Sequence, residues 1–404
     1  MRELTKFAIG GGWGAEESDE DTQKVMVIRG ADFPAAALQD LSSIPTRFEK
    51  SSKVSNRALS PGDIVLEISG GTKDRPTGRT VFVTQKMVDD AASPLIPASF
   101  CRRLVIDSDK ADPRFVYYWL QNMYATGQTW NYQNRSTGIA NFQFEQFLDR
   151  EKVYLPDRQM QLTIGMLLGA LDDKISTNIR IINATDGLVD VLYSRVPKMP
   201  TEQSFAKVVQ VFGGSTPSTK NDAFWNGDIN WATPTDITAL DGPWIGDTSR
   251  KITEAGLSSM SSSLHPENSI LLTSRATIGA IALASEPIAT NQGFIVVEAP
   301  DELTPWLFAQ MKARKREFEA WANGATFMEL SRGNFKKLPF IGCSDDDLQA
   351  FNDAAWPLLK RAQAAQKENQ VLARTRDELL PLLMSGRITV GEAEDAADEA
   401  ASES

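Results

Sequence analysis

One histidine and two cysteines are all that this 404-residue chain offers for imidazole or thiol chemistry. A Ser-His-Asp or Cys-His site would have to be built on His265. That residue falls in a turn-like stretch, SSLHPEN, where a surface imidazole is the ordinary reading. Cys101 and Cys343 stand far apart, which argues against a disulfide framework or a cysteine-based zinc site and points to a reducing, cytoplasmic setting. No GxxxxGKS or GxxxxGKT nucleotide loop is present, and the pairs Gly70-Gly71 and Gly213-Gly214 lack the GxGxxG spacing. Nor is there an Asn-Pro-Pro-aromatic or Asp-Pro-Pro-aromatic run with which an amino-methyltransferase could hold a flipped base. The expectation is a non-catalytic protein without metal or cofactor.

Recognition chemistry is better represented. The stretch GGTKDRPTGR (70–79) joins two expected strands and carries Lys73, Arg75 and Arg79 at one tip; a matching turn later in the chain carries Ser274, Arg275 and Thr277. Arginine can grip a guanine edge with two hydrogen bonds, and Lys or Thr can reach phosphates. A solvated basic turn is the plainer alternative. The segment TWNYQNRSTGIANFQ (129–143) sets Asn131, Gln133, Asn134 and Arg135 beside aromatic residues, and its counterpart holds Trp321, Asn323 and Thr326. Amide side chains suit adenine edges; a polar loop over packed rings is the alternative. Trp225 and Trp231, near the STPS turn at 215–218, read more naturally as core than as contacts.

Two long helices must position these loops. From Gln161 to Leu192, the residues Ile164, Leu168, Leu171, Ile175, Asn178, Ile182, Thr185 and Val189 alternate three and four apart, and Leu348 to Leu383 repeats the pattern. Such narrow stripes are coiled-coil seams, so the two helices are expected to pack on each other, with Asn178 and Asn369 fixing register. Pro156-Asp157 can start the first helix, Ser344 with three following Asp residues the second, and Ser385-Gly386 can stop it. Pro357 and Pro381 predict a kink or break in the second.

The remainder is a repeat. AIGGGWG (8–14) corresponds to VFGGSTP (211–217), the 59–83 stretch to 264–284, PASFCRRLVID (97–107) to TNQGFIVVEAP (290–300), and DPRFVYYWLQNM (112–123) to LTPWLFAQMKAR (303–314). A period of roughly 200 residues is a duplicated domain rather than a solenoid. Each half reads as mixed α and β, with short β-branched strands such as DIVLEI and SILLTS. The net charge of −11 is matched by five acids at 16–21 and six at 392–403, so it says nothing against a nucleic-acid surface elsewhere. No apolar run of about 18 residues exists, and a mean hydropathy of −0.27 gives no membrane span.

With these residues in view, the chain resembles the specificity subunit of type I restriction–modification enzymes. The resemblance rests on FGGSTPS with FWNGDINW (212–231), SRATIG with TNQGF (274–294), LPDRQMQLTIGMLLGALDDKI with Asn178 and Asn183 (155–183), and ELLPLLMSGRI (378–388). It implies an α+β chain of two pseudo-repeated α/β target-recognition domains around an antiparallel coiled coil. The expected divisions are a first target-recognition domain at 1–155, a central spacer helix at 156–195, a second domain at 196–343, a C-terminal spacer helix at 344–388 and an acidic disordered tail at 389–404. It also implies a bipartite, asymmetric target in double-stranded DNA, two docked adenine-N6 methyltransferase subunits and a separate restriction (translocase) subunit. About 30 helical residues span roughly 45 Å, enough for readers one duplex turn, about 34 Å, apart. A coiled-coil scaffold whose two domains bind something other than DNA is the competing reading. A hydrolase or methyltransferase with an unrecognised site is the third.

Overall fold

The computed structural model describes residues 1–72, 74–136, 139–324 and 328–402, the side chains of 135, 136, 139 and 399–402 excepted. Internal contacts divide the chain into two compact units, Met1–Thr177 with Gln370–Ser404, and Asn178–Asn369. Each long helix therefore contributes one part to each unit.

In the first unit, Thr5–Gly10, Cys101–Ile106, Ile64–Glu67 and Thr80–Phe82 lie side by side in that order, every neighbour antiparallel. Ile64, Val65 and Leu66 are buried in succession, as a strand covered on both faces requires. A second sheet runs Thr46–Lys50, Thr22–Ile28, Leu95–Pro97, the last two strands parallel. A third runs Ser69–Gly71, Ile139–Phe142, Gln133–Ser136. The helix Pro113–Ala125 begins where Asp112 accepts a hydrogen bond from Phe115 N–H at 2.9 Å, with proline in the first turn.

The second unit repeats this plan. Gln210–Gly213, Phe294–Glu298, Ile270–Thr273 and Ile281–Ala284 form the main sheet, with Trp244–Ile245 added at its edge. The duplication extends to single hydrogen bonds. Gly12 N–H donates to Pro97 O at 2.9 Å, and Ser215 N–H to Thr290 O at 3.0 Å. Ile68 N–H donates to Phe100 O, and Ser274 N–H to Gly293 O, both at 2.8 Å. Gly11 and Gly214 sit at the same crossing, where a Cβ would overlap backbone carbonyl oxygens of Pro97 and Ala98 in one unit and of Thr290 and Asn291 in the other. Edge strand Trp244–Ile245 meets a helix side chain: Trp244 N–H donates to Gln366 Oε1 and Gln366 Nε2 donates back to Trp244 O, both at 3.0 Å.

The central helix spans Arg158–Arg195, 38 residues, and the C-terminal long helix Asp345–Met384, 40 residues. Asp157 caps the first by accepting from Met160 N–H at 2.9 Å, and Ser344 the second by accepting from Asp347 N–H at 3.1 Å. Gly386, at φ 68°, closes the latter. The apolar stripe of the central helix is buried from Gln161 through Val189. In the second unit Asn178 meets Glu368 at 2.7 Å while Tyr193 packs edge-on to Phe351, so the helices run antiparallel. Gly165 and Gly169 let the helix Pro113–Ala125 approach closely, with Arg114 filling the space a Cβ at Gly169 would take.

Two expectations about the C-terminal region are corrected. Pro357 and Pro381 lie inside one unbroken helix. Each proline costs one backbone hydrogen bond, but Ala355 and Leu359 around the first, and Leu379 and Leu383 around the second, are buried and hold the helix on its track. Residues Val390–Ser402, expected as a disordered tail, form a helix. Thr389 and Glu392 make a reciprocal capping box at its start, Thr389 N–H on Glu392 Oε2 at 2.8 Å and Glu392 N–H on Thr389 Oγ1 at 3.3 Å, and Ala393 is buried. Among the described residues, no helix is long and apolar enough to cross a membrane.

Candidate nucleic-acid interface

The strand Ile64–Glu67 ends in a carboxylate that is 2% exposed, and such a group needs a cation. Arg79 supplies it in a fork, Nε at 2.9 Å and Nη2 at 2.6 Å from the two oxygens of Glu67, with Nη2 also on Gly30 O at 2.6 Å. Burial works against the charge of Arg79, but Glu67 outweighs it and holds the guanidinium above its ordinary value. Arg75 folds back as well: Nη2 donates to Gly70 O at 2.6 Å and Nη1 stands 3.6 Å from Glu67. The basic tip expected from Lys73, Arg75 and Arg79 is thus corrected for Arg75 and Arg79, which converge on one buried acid. Lys73 lies outside the described residues.

Gln133 Oε1 accepts from Thr77 N–H at 2.9 Å and so pins the 70–79 loop to the neighbouring strand. Asn131 and Asn134 are exposed beside it, the latter opposite Asn141 in the strand pair. The side chain of Arg135 lies outside the described residues. Asn131 and Asn134 therefore face outward, while Arg75 and Arg79 turn towards Glu67.

The second unit differs at the same place. Ser274 is 2% exposed, and its backbone bonds to Gly293 and Leu330 hold the turn in place. Arg275 is 47% exposed and pairs with Glu329 at 2.9 Å. Asn323 is exposed and exchanges backbone hydrogen bonds with Glu329 at 3.0 and 3.1 Å, which brings Arg275 and Asn323 together. Thr277 is exposed and its carbonyl accepts from the Thr273 hydroxyl. Thr326 lies outside the described residues. Ala276 holds a left-handed φ of 61°, which gives this turn a strained apex.

Trp225 and Trp231 pack edge to face at 5.1 Å with Arg250 3.6 Å above the first ring, a core arrangement. His265 corrects another expectation: it is fully buried, with Nδ1 2.8 Å from Glu298 Oε1. Its backbone bridges to Ile288, which draws the turn inward. Among the described residues, no group of His, Cys, Asp and Glu is placed to hold a metal ion.

Sequence reasoning missed a cleft of about 620 Å³ in the first unit, lined among others by Trp13, Arg29, Glu67, Arg75 and Phe100. The one signal for it was a tryptophan inside a glycine run, GGGWG. Two large aromatic side chains left 41% and 61% exposed, Trp13 and Phe100, mark its rim.

Residues 204–341 match the family described as the type I restriction modification DNA specificity domain. Over 189 residues the chain is 32% identical to the type I restriction enzyme MjaIX specificity subunit of Methanocaldococcus jannaschii, covering 46% of this chain and 44% of that protein. The second unit thus carries a type I DNA specificity domain. A second relative, the type I restriction enzyme HindI specificity subunit of Haemophilus influenzae, is 26% identical over 197 residues, 48% of this chain and 42% of its own length. The chain thus matches less than half the length of these curated relatives. The crystal structure of a type I restriction-modification S subunit from M. genitalium shares the fold, with a TM-score of 0.60 at 13% identity over 95% of this chain and 94% of that one.

Proposed function

We propose that this chain is the sequence-reading subunit of a type I restriction–modification complex, with no chemistry of its own. Its two loop sets bind double-stranded DNA at a bipartite, asymmetric target, one half read by each. The observation that carries this reading is a shared strand order and backbone hydrogen-bond pattern with different loop chemistry: the hydrogen bonds of Ile68 and Ser274 correspond, yet one unit presents Asn131 and Asn134 while the other presents Arg275, Thr277 and Asn323. A duplicated scaffold with divergent tips suits two ligands of one kind and different sequence.

In this reading Asn131, Asn134, Arg275, Thr277 and Asn323 touch DNA, joined by Lys73, Arg135 and Thr326 from the same loops. Arg79, Gln133 and Ser274 hold those loops in place, and Arg75 does both. The long helices dock two methyltransferase subunits in the cytoplasm, and a restriction (translocase) subunit joins through them. In support, the central helix leaves Met160 and Met166 in the first unit, and Leu188 and Val191 in the second, between 37% and 69% exposed.

The test is to purify the chain with candidate methyltransferase subunits and map methylated adenines on genomic DNA. Methylation confined to one split, asymmetric motif and dependent on this chain is the expected result. A stable complex without any motif would favour a scaffold that reads no DNA.

A further inference from the structure

The cleft in the first unit has a composition unlike a flat phosphate-binding surface. Trp13 and Phe100 stand exposed at its rim, with Gly30 and Gly70 leaving the walls open. Its floor holds one carboxylate, Glu67, against two guanidiniums, Arg75 and Arg79. Arg29, the third arginine on the wall, is already neutralised by Asp32 at 2.7 and 2.9 Å. One positive charge is therefore in excess. Arg75 Nη1 is shielded from solvent and forms no close hydrogen bond, its ion-pair partner Glu67 Oε2 lying 3.6 Å away, so the donor has capacity for an acceptor.

We infer that this cleft accepts one nucleobase turned out of the duplex, stacked against Trp13 and Phe100 with an acceptor edge of the guanine type towards Arg75. The inference rests on the proposal that the first unit reads DNA. Its volume lies within the range of pockets that enclose small ligands. Unstacked bases are held on aromatic faces, and arginine suits the O6 and N7 acceptors of guanine. The device belongs to the first unit. By the shared backbone hydrogen bonds, Trp13 corresponds to Thr216, Phe100 to Gly293 and Glu67 to Thr273, so the second unit lacks both rings and the floor carboxylate, while Arg275 stands where the first unit has Ser69.

The experiment measures affinity of the full chain, bound to its methyltransferase partners, for duplexes carrying the mapped motif. In each, the partner of one guanine in the first half-site is replaced by an abasic residue. Turning out a base that has lost its partner costs less. The expected result is one position at which the abasic partner tightens binding about fivefold or more. That gain is lost in Trp13→Ala and in Phe100→Ala, and Arg75→Lys abolishes the preference for guanine there. Thermal midpoints of the three variants, all altered at the cleft surface, check that they fold. If every such duplex binds equally or more weakly than the paired one, or if the gain persists in both aromatic variants, no base enters this cleft. If the unmodified complex does not prefer the motif over scrambled DNA, the reading of DNA fails and this inference falls with it.

Discussion

Arg376 donates through Nη1 to Asp172 at 2.7 Å, and the second oxygen of the same carboxylate accepts from the Tyr118 hydroxyl at 2.6 Å. One acid thus ties the C-terminal helix, the central helix and the helix Pro113–Ala125 together inside the first unit. With Asp172 only 18% exposed, its removal strands two donors. We expect Asp172→Ala to lower stability by about 2–3 kcal/mol, since hydrogen bonds to charged groups are each worth roughly 1.5–3 kcal/mol. Denaturant unfolding checks this. A loss below about 0.5 kcal/mol would show the joint to be decorative.

The arginines of the first-unit loop and the second-unit turn should separate cleanly. Arg79→Ala leaves Glu67 buried without its fork and is expected to cost about 3 kcal/mol, so any DNA defect in it follows from a damaged loop. Arg275→Ala breaks only an exposed pair with Glu329, worth less than about 1 kcal/mol. It should keep the thermal midpoint and weaken DNA binding, with a salt slope smaller by about 1 if the contact is to phosphate. Unchanged affinity at every salt concentration would remove Arg275 from the interface.

Glycines of the two kinds should respond differently. Gly214→Ala drives a Cβ into fixed backbone oxygens of Thr290 and Asn291, as Gly11→Ala does against Pro97 and Ala98. Each should cost about 3 kcal/mol, the upper end for overpacking. At Gly169 the obstacle is the mobile end of Arg114, and alanine gains about 1 kcal/mol of helix propensity. Gly169→Ala is expected to be within about 0.5 kcal/mol of neutral. Thermal unfolding of the three variants side by side decides the matter.

Cys101 gives a pH prediction. Burial, chiefly, with help from the nearby Glu67 charge, pushes its thiol up to about 12 from an ordinary 9.0. The folded state therefore holds the proton more tightly than the unfolded state. This contribution is complete below about pH 9 and is lost as pH rises towards 12. Cys101→Ala should show a stability curve shallower in that window by about 1.4 kcal/mol per pH unit, the value of one proton. In the native protein a thiol reagent at pH 8 should reach Cys343 before Cys101, which is fully buried. Equal rates would contradict the burial.

The seam, the caps and the duplication were readable because they are local or periodic: Ile164 to Val189 repeat at helical spacing, and Ser344 announces itself beside three acids. The capping box of Thr389 and Glu392 carried the same kind of signal beneath a run of acids that looked like a solvated end. The fork of Arg79 on Glu67 and the pair of His265 with Glu298 were not legible. They join residues 12 and 33 positions apart whose meeting depends on strand register. For the same reason a basic loop reads from sequence as an outward-facing tip even where two of its arginines turn inward. Pro357 and Pro381 misled in the other direction, since the loss of one hydrogen bond is visible in the sequence and the buried neighbours that offset it are not.

The side chain of Gln366 meets Trp244 as another strand would, giving and taking one hydrogen bond with the same residue. A sheet normally ends in unpaired backbone that invites a neighbouring molecule to continue it. Here the Trp244–Ile245 edge is two residues long, and its first residue is already answered by an amide from the long helix. That makes Gln366 a guard against self-association as well as a packing residue. A chain deprived of it would be expected to accumulate as aggregate long before it lost its fold.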